Sequence, residues 1–193
     1  MYGQNGDDVV TGEAGDDYVY GDAGNDIVDG GDGRDYVYGG AGDDVLRGGP
    51  GVNDYLSGDA GNDTYQFAAG DGNTTISNYD TGAGRQDVLQ FLAGGSPSDA
   101  IIKEDLWFSR SGNSLQITLV GTDDQVTINN WYSNANYQLN QIEVGTSVLL
   151  NNQIDQLVTA MAAYNVPSGI GNVIPQDVQD QLQPIFAATW QTA

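Results

Sequence analysis

Apolar side chains recur every nine residues over the first third of the chain. Between residues 3 and 66, position 8 of each segment holds an apolar or aromatic residue. Side chains alternate along a strand, so position 8 faces one way while positions 7 and 9 face the other. The last three residues of each segment therefore predict a short strand with one buried side chain. These side chains belong to Val10, Val19, Val28, Val37, Leu46, Leu56 and Tyr65.

One buried side chain per segment cannot form a core alone, so the copies must stack on one another. Glycine occupies positions 1 and 4 in all seven copies, as in GDAGNDIVD at 21–29. Glycine permits backbone angles closed to other residues, which lets a tight turn point its carbonyl oxygens inward. Aspartate stands at position 6 of each nine-residue copy, and Asp54 fills that role in a ten-residue copy at 48–57. The extra residue there is Val52 or a neighbour.

Carbonyl oxygens combined with one carboxylate per turn indicate binding of a hard cation. Calcium takes 6–8 oxygen ligands in a flexible geometry, whereas magnesium requires a stricter octahedron. The chain has 27 acidic and 5 basic residues, a net charge of −22, and neither His nor Cys. This composition excludes disulfides, His-dependent triads and the usual catalytic zinc centres, and it argues against nucleic-acid and anionic-membrane binding. No apolar run is long enough to span a membrane.

The sequence after the repeats predicts a second β-rich region. Strands are expected at Thr75–Tyr79 and Val88–Phe91. Alternating apolar and polar residues over 105–144, interrupted by glycine-containing turns, predict a small β-meander. Such a region would cover the last turn of the repeats, whose strand edges are otherwise unpaired. Its predicted core contains Trp107, Phe108, Trp131 and Tyr132.

Apolar residues at helical spacing predict two helices near the end of the chain, within 149–164 and 175–190. Pro175 suits the start of the second helix, and Pro184 should kink or divide it. The simplest expectation is a helical pair that docks on the meander.

The nonapeptides resemble the GGxGxDxUx calcium repeat of RTX (repeats-in-toxin) proteins. Residues 105–144 resemble the haemolysin-type calcium-binding-related domain that follows such repeats. The resemblance implies a mainly β fold: a parallel β-roll (an RTX solenoid), a small β-meander cap and two short C-terminal helices. The expected domains are the roll at 1–66, the capping domain at 67–148 and a helical segment at 149–193.

In the resembled family two nonapeptides form one turn, so copy n stacks on copy n+2 and the aspartates form two columns. The resemblance implies one calcium ion between stacked turns, about five Ca²⁺ in all. The lower turn would supply its aspartate and the carbonyls of positions 2 and 4, and the upper turn its aspartate and the carbonyls of positions 1 and 3. The expected ligand sets of the first column are Gln4, Gly6, Asp8, Gly21, Ala23 and Asp26; Asp22, Gly24, Asp26, Gly39, Ala41 and Asp44; and Gly40, Gly42, Asp44, Gly58, Ala60 and Asp63. Those of the second column are Glu13, Gly15, Asp17, Gly30, Asp32 and Asp35; and Gly31, Gly33, Asp35, Gly48, Pro50 and Asp54.

The net charge of the repeats indicates whether they can fold without the metal. Residues 1–66 carry 15 acidic and 2 basic residues, a net charge of −13, which five Ca²⁺ would reduce to −3. Two unit charges 4 Å apart repel by ~4 kcal/mol at an effective dielectric of ~20. Each buried Val or Leu contributes only ~1.5–3 kcal/mol, against the entropy of ordering the chain. We therefore expect the repeats to be unfolded without calcium and folded with it.

Tyrosines form a second pattern on the outward positions. Tyr18, Tyr36 and Tyr55 stand at position 7 of the even copies, so they share one sheet, whereas the other sheet carries Val9 and Ile27 there. Two interpretations stay open. The rings form a packed ladder that stiffens the sheet, or they form a sugar- or partner-binding strip.

Acidic residues outside the repeats also leave alternatives open. Asp71 and Asp87 are either further calcium ligands or loop residues, and Asn73 replaces the acid that would support Asp71. Asp123 and Asp124 are adjacent acids in a turn, which favours a solvated pair over a metal site.

The resemblance implies a calcium-binding module that folds on Ca²⁺ binding outside the cell and supports type I secretion of a larger exoprotein. This chain would be the C-terminal piece, with its uncleaved export signal in 149–193, because no N-terminal secretory signal is visible. The expected partners are calcium ions, the type I secretion machinery and a cell-surface or glycan partner. The alternatives are an adhesin or carbohydrate-binding module, and an ancillary module of a secreted enzyme such as an alginate epimerase or a serralysin-type protease. No nucleophile–base pair presents itself, so we expect no catalysis.

Overall fold

The structure is a computed structural model that describes residues 1–92, 101–165 and 171–192. The strands, in chain order, are β1 (Tyr2–Asn5), β2 (Val9–Thr11), β3 (Tyr18–Ala23), β4 (Ile27–Asp29), β5 (Tyr36–Ala41), β6 (Val45–Arg47), β7 (Asp54–Ala60), β8 (Thr64–Phe67), β9 (Asn73–Ile76), β10 (Val88–Phe91), β11 (Leu106–Ser111), β12 (Ser114–Leu119), β13 (Gln125–Ile128), β14 (Gln141–Val144), β15 (Ser147–Leu150) and β16 (Trp190–Thr192). The helices are α1 (Asn151–Met161) and α2 (Gln176–Thr189).

Strands β1 to β10 alternate between two sheets, β11 to β13 join the first sheet, and β14 to β16 join the second. The first sheet has the order β1-β3-β5-β7-β9-β13-β12-β11, and the second has the order β2-β4-β6-β8-β10-β14-β15-β16. In each sheet the first six strands are parallel and the last two pairings are antiparallel. The predicted mainly β fold with a parallel roll is therefore confirmed.

Each turn of the roll contains two nonapeptides. Val10 pairs with Val28 and Val19 with Val37, so copy n lies against copy n+2 as expected. The ten-residue copy keeps this arrangement, because Leu56 still pairs with Val37. Its extra length is taken up at Val52, whose side chain is exposed, and at Asn53, which has a φ of 64°.

Position 8 forms the interior of the roll. Its side chains are buried from Val10 to Tyr65, and they join the same cluster as the apolar residues that follow the repeats. The outward position 7 is open on both sheets: the exposed fraction is 54% for Tyr18 and 50% for Ile27. The alternation inferred from the sequence thus describes the roll correctly.

The predicted meander consists of β11, β12 and β13, which are antiparallel. It extends the first sheet, because β13 pairs in parallel with β9. The second sheet is extended by β14, β15 and β16. Both sheets therefore run without a break past residue 66, and the division at 66 and 148 stays a prediction. Of the expected core residues, Trp107, Phe108 and Trp131 are buried, whereas Tyr132 is partly buried.

Two strands and two helices were expected after the roll. The strand at Val88–Phe91 is found as predicted, and the one expected at Thr75–Tyr79 lies at Asn73–Ile76. Helix α1 packs near β11, where the backbone amide of Phe108 donates to Sδ of Met161 at 3.0 Å. Helix α2 continues through Pro184, so the expected division is not found. Neither helix, in the ranges that the structure describes, has the length and apolar character to cross a bilayer.

Candidate metal sites

The position-6 aspartates stack into two columns, one in each half of the turn. Each aspartate donates its backbone N–H to the carboxylate of the aspartate one turn above. In the first column the bonds to Oδ1 run from Asp8 to Asp26 (2.8 Å), from Asp26 to Asp44 (2.8 Å) and from Asp44 to Asp63 (3.1 Å). In the second they run from Asp17 to Asp35 (2.8 Å) and from Asp35 to Asp54 (2.9 Å).

In five of these seven carboxylates the second oxygen is buried and lacks a protein partner. Among the described residues, the buried Oδ2 atoms without a hydrogen bond include those of Asp8, Asp26, Asp35, Asp44 and Asp54. An unpaired buried carboxylate is unfavourable unless a cation or a proton neutralises it. The columns therefore present regularly spaced oxygens that require a positive charge.

Position-1 glycines border the same space as these free oxygens. A Cβ atom added to Gly21 would lie 2.5 Å from Oδ2 of Asp26 and 2.6 Å from the carbonyl oxygen of Gly39. At Gly39 the corresponding distances are 2.3 Å to Oδ2 of Asp44 and 2.8 Å to the carbonyl oxygen of Gly58. The lower aspartate and the upper position-1 carbonyl thus converge, as two members of each expected ligand set should.

The remaining expected carbonyls also border the gaps between turns. The carbonyl oxygens of positions 2 and 4 point up at the next turn. A Cβ added to Gly40 would lie 2.1 Å from the carbonyl oxygen of Asp22, and a Cβ added to Gly24 would lie 2.2 Å from the carbonyl oxygen of Gly6. The position-3 carbonyl of the upper turn faces down, since Ala23 accepts from the N–H of Gly6 at 2.7 Å. All six expected ligands of the first set therefore come from two directly stacked turns.

Burial makes these carboxylates hard to ionise without a cation. The pKa of Asp44 is raised to about 6: desolvation is the main cause, a hydrogen bond from the Asp26 backbone opposes it, and the neighbouring carboxylate of Asp26 adds to it. The pKa of Asp54 is raised to about 6 and that of Asp63 to about 7, again mainly by burial. Burial also raises the pKa of Asp35.

The donor set selects the kind of ion. In the part of the chain that the structure covers, no three acidic side chains are grouped closely enough to hold a metal by themselves. Backbone carbonyls must therefore supply most ligands, and a mixture of carbonyls and carboxylates suits calcium better than zinc or magnesium. The residues present fit calcium between stacked turns.

A second ladder of hydrogen bonds runs along position 5, with the donor in the upper turn and the acceptor in the lower turn. There the side-chain Oδ1 atom accepts a backbone N–H from the turn above: Asp7 from Asn25, Asn25 from Asp43, and Asp43 from Asn62, each at 2.8 Å. Asp and Asn alternate at this position, which shows that its bond does not depend on charge. This ladder holds the turns in register, and among the described residues of the repeats the buried, unpaired carboxylate oxygens belong to position 6.

The roll contains a further copy that the sequence did not reveal. In the segment GAGRQDVLQ (82–90), the residues from Gln86 onwards lie on copy 7 in register, since Gln86 donates its N–H to Asn62 and Val88 pairs with Thr64. Asp87 continues the first column, because its Oδ1 atom accepts from the N–H of Asp63 at 3.2 Å. Gly82, Asp87 and Leu89 at positions 1, 6 and 8 are the signal that could have identified it.

Asp71 and Asp124, two further acidic residues outside the repeats, have structural partners. Asp71 pairs with Arg47 at 2.8 Å and lies off the columns, while Thr74 takes the place above Asp54. Asp124 is buried, contrary to the expectation of a solvated pair. It accepts from the N–H groups of Gly70 at 2.8 Å and Gly72 at 3.1 Å, and so anchors the loop before β9.

The tyrosines on the outer face of the first sheet form stacked ladders. The ring centroids of Tyr18 and Tyr36 lie 4.7 Å apart with an interplanar angle of 4°. Those of Tyr20 and Tyr38 are 4.9 Å apart at 6°, and Tyr2 stacks on Tyr20 in the same way. Stacked rings cover each other's faces, which favours the packed-ladder interpretation. The sugar-binding alternative stays a prediction.

Comparison with known proteins agrees with this geometry. Overlapping matches to the RTX calcium-binding nonapeptide repeat family cover residues 2–37, 23–53 and 38–76. Residues 115–143 match the haemolysin-type calcium binding protein related domain. Residues 2–76 are thus similar to the RTX calcium-binding nonapeptide repeats, and residues 115–143 to the haemolysin-type related domain.

One curated relative is the iron-regulated protein FrpA of Neisseria meningitidis serogroup C. The two proteins are 32% identical over 91 residues, which make up 46% of this chain and 8% of that relative. The chain therefore corresponds to a small part of that protein.

Proposed function

We propose that this chain is a module that binds about five Ca²⁺, folds on binding them outside the cell and supports type I secretion of a larger exoprotein. The observation that carries the proposal is the set of buried, unpaired Oδ2 atoms along the two aspartate columns. Each gap between stacked turns would hold one ion, bound by the ligand sets predicted from the sequence. The module itself has no catalytic role.

Calcium concentration would then act as the signal for folding. Extracellular calcium modules bind with dissociation constants of roughly 10⁻⁴–10⁻³ M, far above cytosolic calcium. The repeats would leave the cell unfolded, and external calcium would stabilise the folded roll by mass action. In this proposal the roll (1–66) folds on binding calcium, the cap (67–148) covers its last turn, and the helical segment (149–193) contains the export signal.

The helical segment bears on the secretion part of the proposal. Helix α1 buries Ile154 and Leu157, and helix α2 buries Leu182 and Phe186. These side chains belong to the same apolar cluster as the buried side chains of the cap. An export signal in these residues would therefore have to be recognised before the cap and the helices fold. Fusing residues 149–193 to a passenger protein tests this: a type I secretion system should export the fusion, and retention in the cell would contradict the signal.

Calorimetry with a calcium titration tests the binding part. We expect about five ions per chain, together with a gain of strand signal in circular dichroism over the same calcium range. Magnesium at the same concentrations should give a much smaller gain, because its octahedral geometry suits these loops poorly. A full strand signal in excess chelator would overturn the proposal.

A further inference from the structure

The end of the first aspartate column differs from the rest of it. In the copy at 82–90, Arg85 occupies position 4, where all seven preceding copies have glycine. The copy otherwise keeps both ladders: Asp63 donates its N–H to Asp87, and Gln86 donates its N–H to Oδ1 of Asn62 at 2.8 Å. From Gln86 onwards the copy is therefore stacked like the others, whereas its turn at 82–85, which contains Arg85, borders a cavity against residues 60–62.

Asp87 has partners on both carboxylate oxygens, unlike the aspartates below it. Its Oδ1 atom accepts from Asp63 at 3.2 Å. Its Oδ2 atom accepts from Nη1 of Arg85 and from Nδ2 of Asn78, the latter at 2.9 Å. In Asp8, Asp26 and Asp44 the equivalent Oδ2 atom is buried and unpaired. Those carboxylates still lack a positively charged partner, whereas Asp87 has one in the side chain of Arg85.

Arg85 is held in place by the cap. Its guanidinium donates to the carbonyl oxygens of Ala135 at 2.8 Å and Gln138 at 3.2 Å. The Arg85 side chain is only 11% exposed, and that of Asp87 is 1% exposed. A planar guanidinium with five donors can bind a carboxylate and carbonyls together, much as a metal ion collects oxygen ligands.

We infer that Arg85 is a resident cation that replaces a calcium ion at the end of the first column. The inference rests on the proposed function, because it assumes calcium in the gaps below Asp63. It assigns Asp87 to an ion pair rather than to a metal site. It also makes the junction between the last turn and the cap independent of calcium, since Arg85 contacts both.

Substituting Arg85 by glycine tests the inference through the number of bound ions. Arg85→Gly restores glycine at position 4 and frees Oδ2 of Asp87. We expect calorimetry of the full chain to show one more Ca²⁺ than in the wild type. Arg47→Gly is the matched control: Arg47 also pairs with a buried aspartate, Asp71, but that aspartate lies off the columns. The control should gain no ion.

Two further variants separate this role from a merely structural one. Arg85→Lys keeps a cation and should leave the ion count unchanged, while Asp87→Asn should lose no ion. An unchanged count in a folded Arg85→Gly protein, or one ion lost in Asp87→Asn, would overturn the inference. If Arg85→Gly does not fold, the Asp87→Asn count decides. A wild type that binds no calcium would refute the proposed function instead.

Discussion

The roll and the cap are built on the same two sheets but are held together differently. In the roll, each nonapeptide buries one apolar side chain, such as Val28 or Val37, beside one acidic side chain. The cap buries large side chains close together, including Trp107, Phe108 and Trp131. The difference teaches that continuous hydrogen-bonded sheets do not imply uniform stability. The cap has an apolar core that can support it, whereas the roll has paired carboxylates that repel unless a cation lies between them.

Removing calcium should unfold the roll and leave the cap folded, and this is the largest effect we expect. All three tryptophans, Trp107, Trp131 and Trp190, lie outside the repeats, whereas the tyrosine ladder lies within them. Excess chelator should therefore remove the part of the near-ultraviolet circular dichroism that comes from the tyrosine ladder and leave most of the tryptophan signal.

Hydrogen exchange provides a second measurement of the same difference. Amide protection should be lost in β1–β7 and retained in β11–β15. Simultaneous loss of both optical signals would show that the roll and the cap fold as one unit and would contradict the comparison.

Neutralising one column aspartate should have the next largest effect. Asp44→Asn keeps an oxygen that can accept from the N–H of Asp26, but it removes a charge shared by two expected ligand sets. We expect the calcium midpoint of roll folding, followed by circular dichroism, to rise by roughly tenfold or more, equivalent to about 1.4 kcal/mol or more.

Asp43→Asn is the matched control, because it changes the adjacent residue in the same way. Position 5 already carries asparagine at Asn25 and Asn62, and Asp43 serves there as a hydrogen-bond acceptor. Its midpoint should stay close to that of the wild type. Equal shifts in the two variants would mean that net charge, rather than the column, controls folding.

The sequence allowed the roll to be predicted because its period is strict. Glycine at positions 1 and 4, Asp at position 6 and an apolar residue at position 8 define the turn, the charge and the buried side of each copy. The copy at 82–90 was missed because Arg85 interrupts the glycine pattern and a longer segment separates Asp63 from Asp87. The role of Asp124 could not be predicted, since its partner Gly70 is 54 residues away and local pattern carries no such information.

A smaller effect should come from the outer face of the roll. Tyr36 stacks on Tyr18 and also contacts Tyr55, with ring centroids 6.0 Å apart. Aromatic pairs contribute about 0.5–1.5 kcal/mol beyond their buried area. Tyr36→Leu should therefore raise the calcium midpoint about two- to tenfold.

Tyr2→Leu is the comparison for Tyr36→Leu, because Tyr2 has a single ring contact, with Tyr20, and is 67% exposed. It should shift the midpoint less. A glycan-binding screen of both variants separates the ladder from the sugar-binding alternative. Loss of glycan binding without a change in the midpoint would favour a recognition surface over a stiffening one.

The smallest expected effect concerns backbone strain in the turns. Glu13 has a φ of 74° at position 2, where Gly31 and Gly40 occupy the same place in later copies. The left-handed region costs a non-glycine residue roughly 1–2 kcal/mol, and glycine loses about 0.5–1 kcal/mol more in backbone entropy on folding. Glu13→Gly should thus stabilise the calcium-loaded roll by less than about 1 kcal/mol, measured by thermal unfolding at saturating calcium.

Glu13→Gln removes the charge but keeps the strained backbone, so an equal gain in both variants would assign the effect to charge repulsion. A gain confined to Glu13→Gly would show that the carbonyl geometry of the loop is maintained at the expense of local strain.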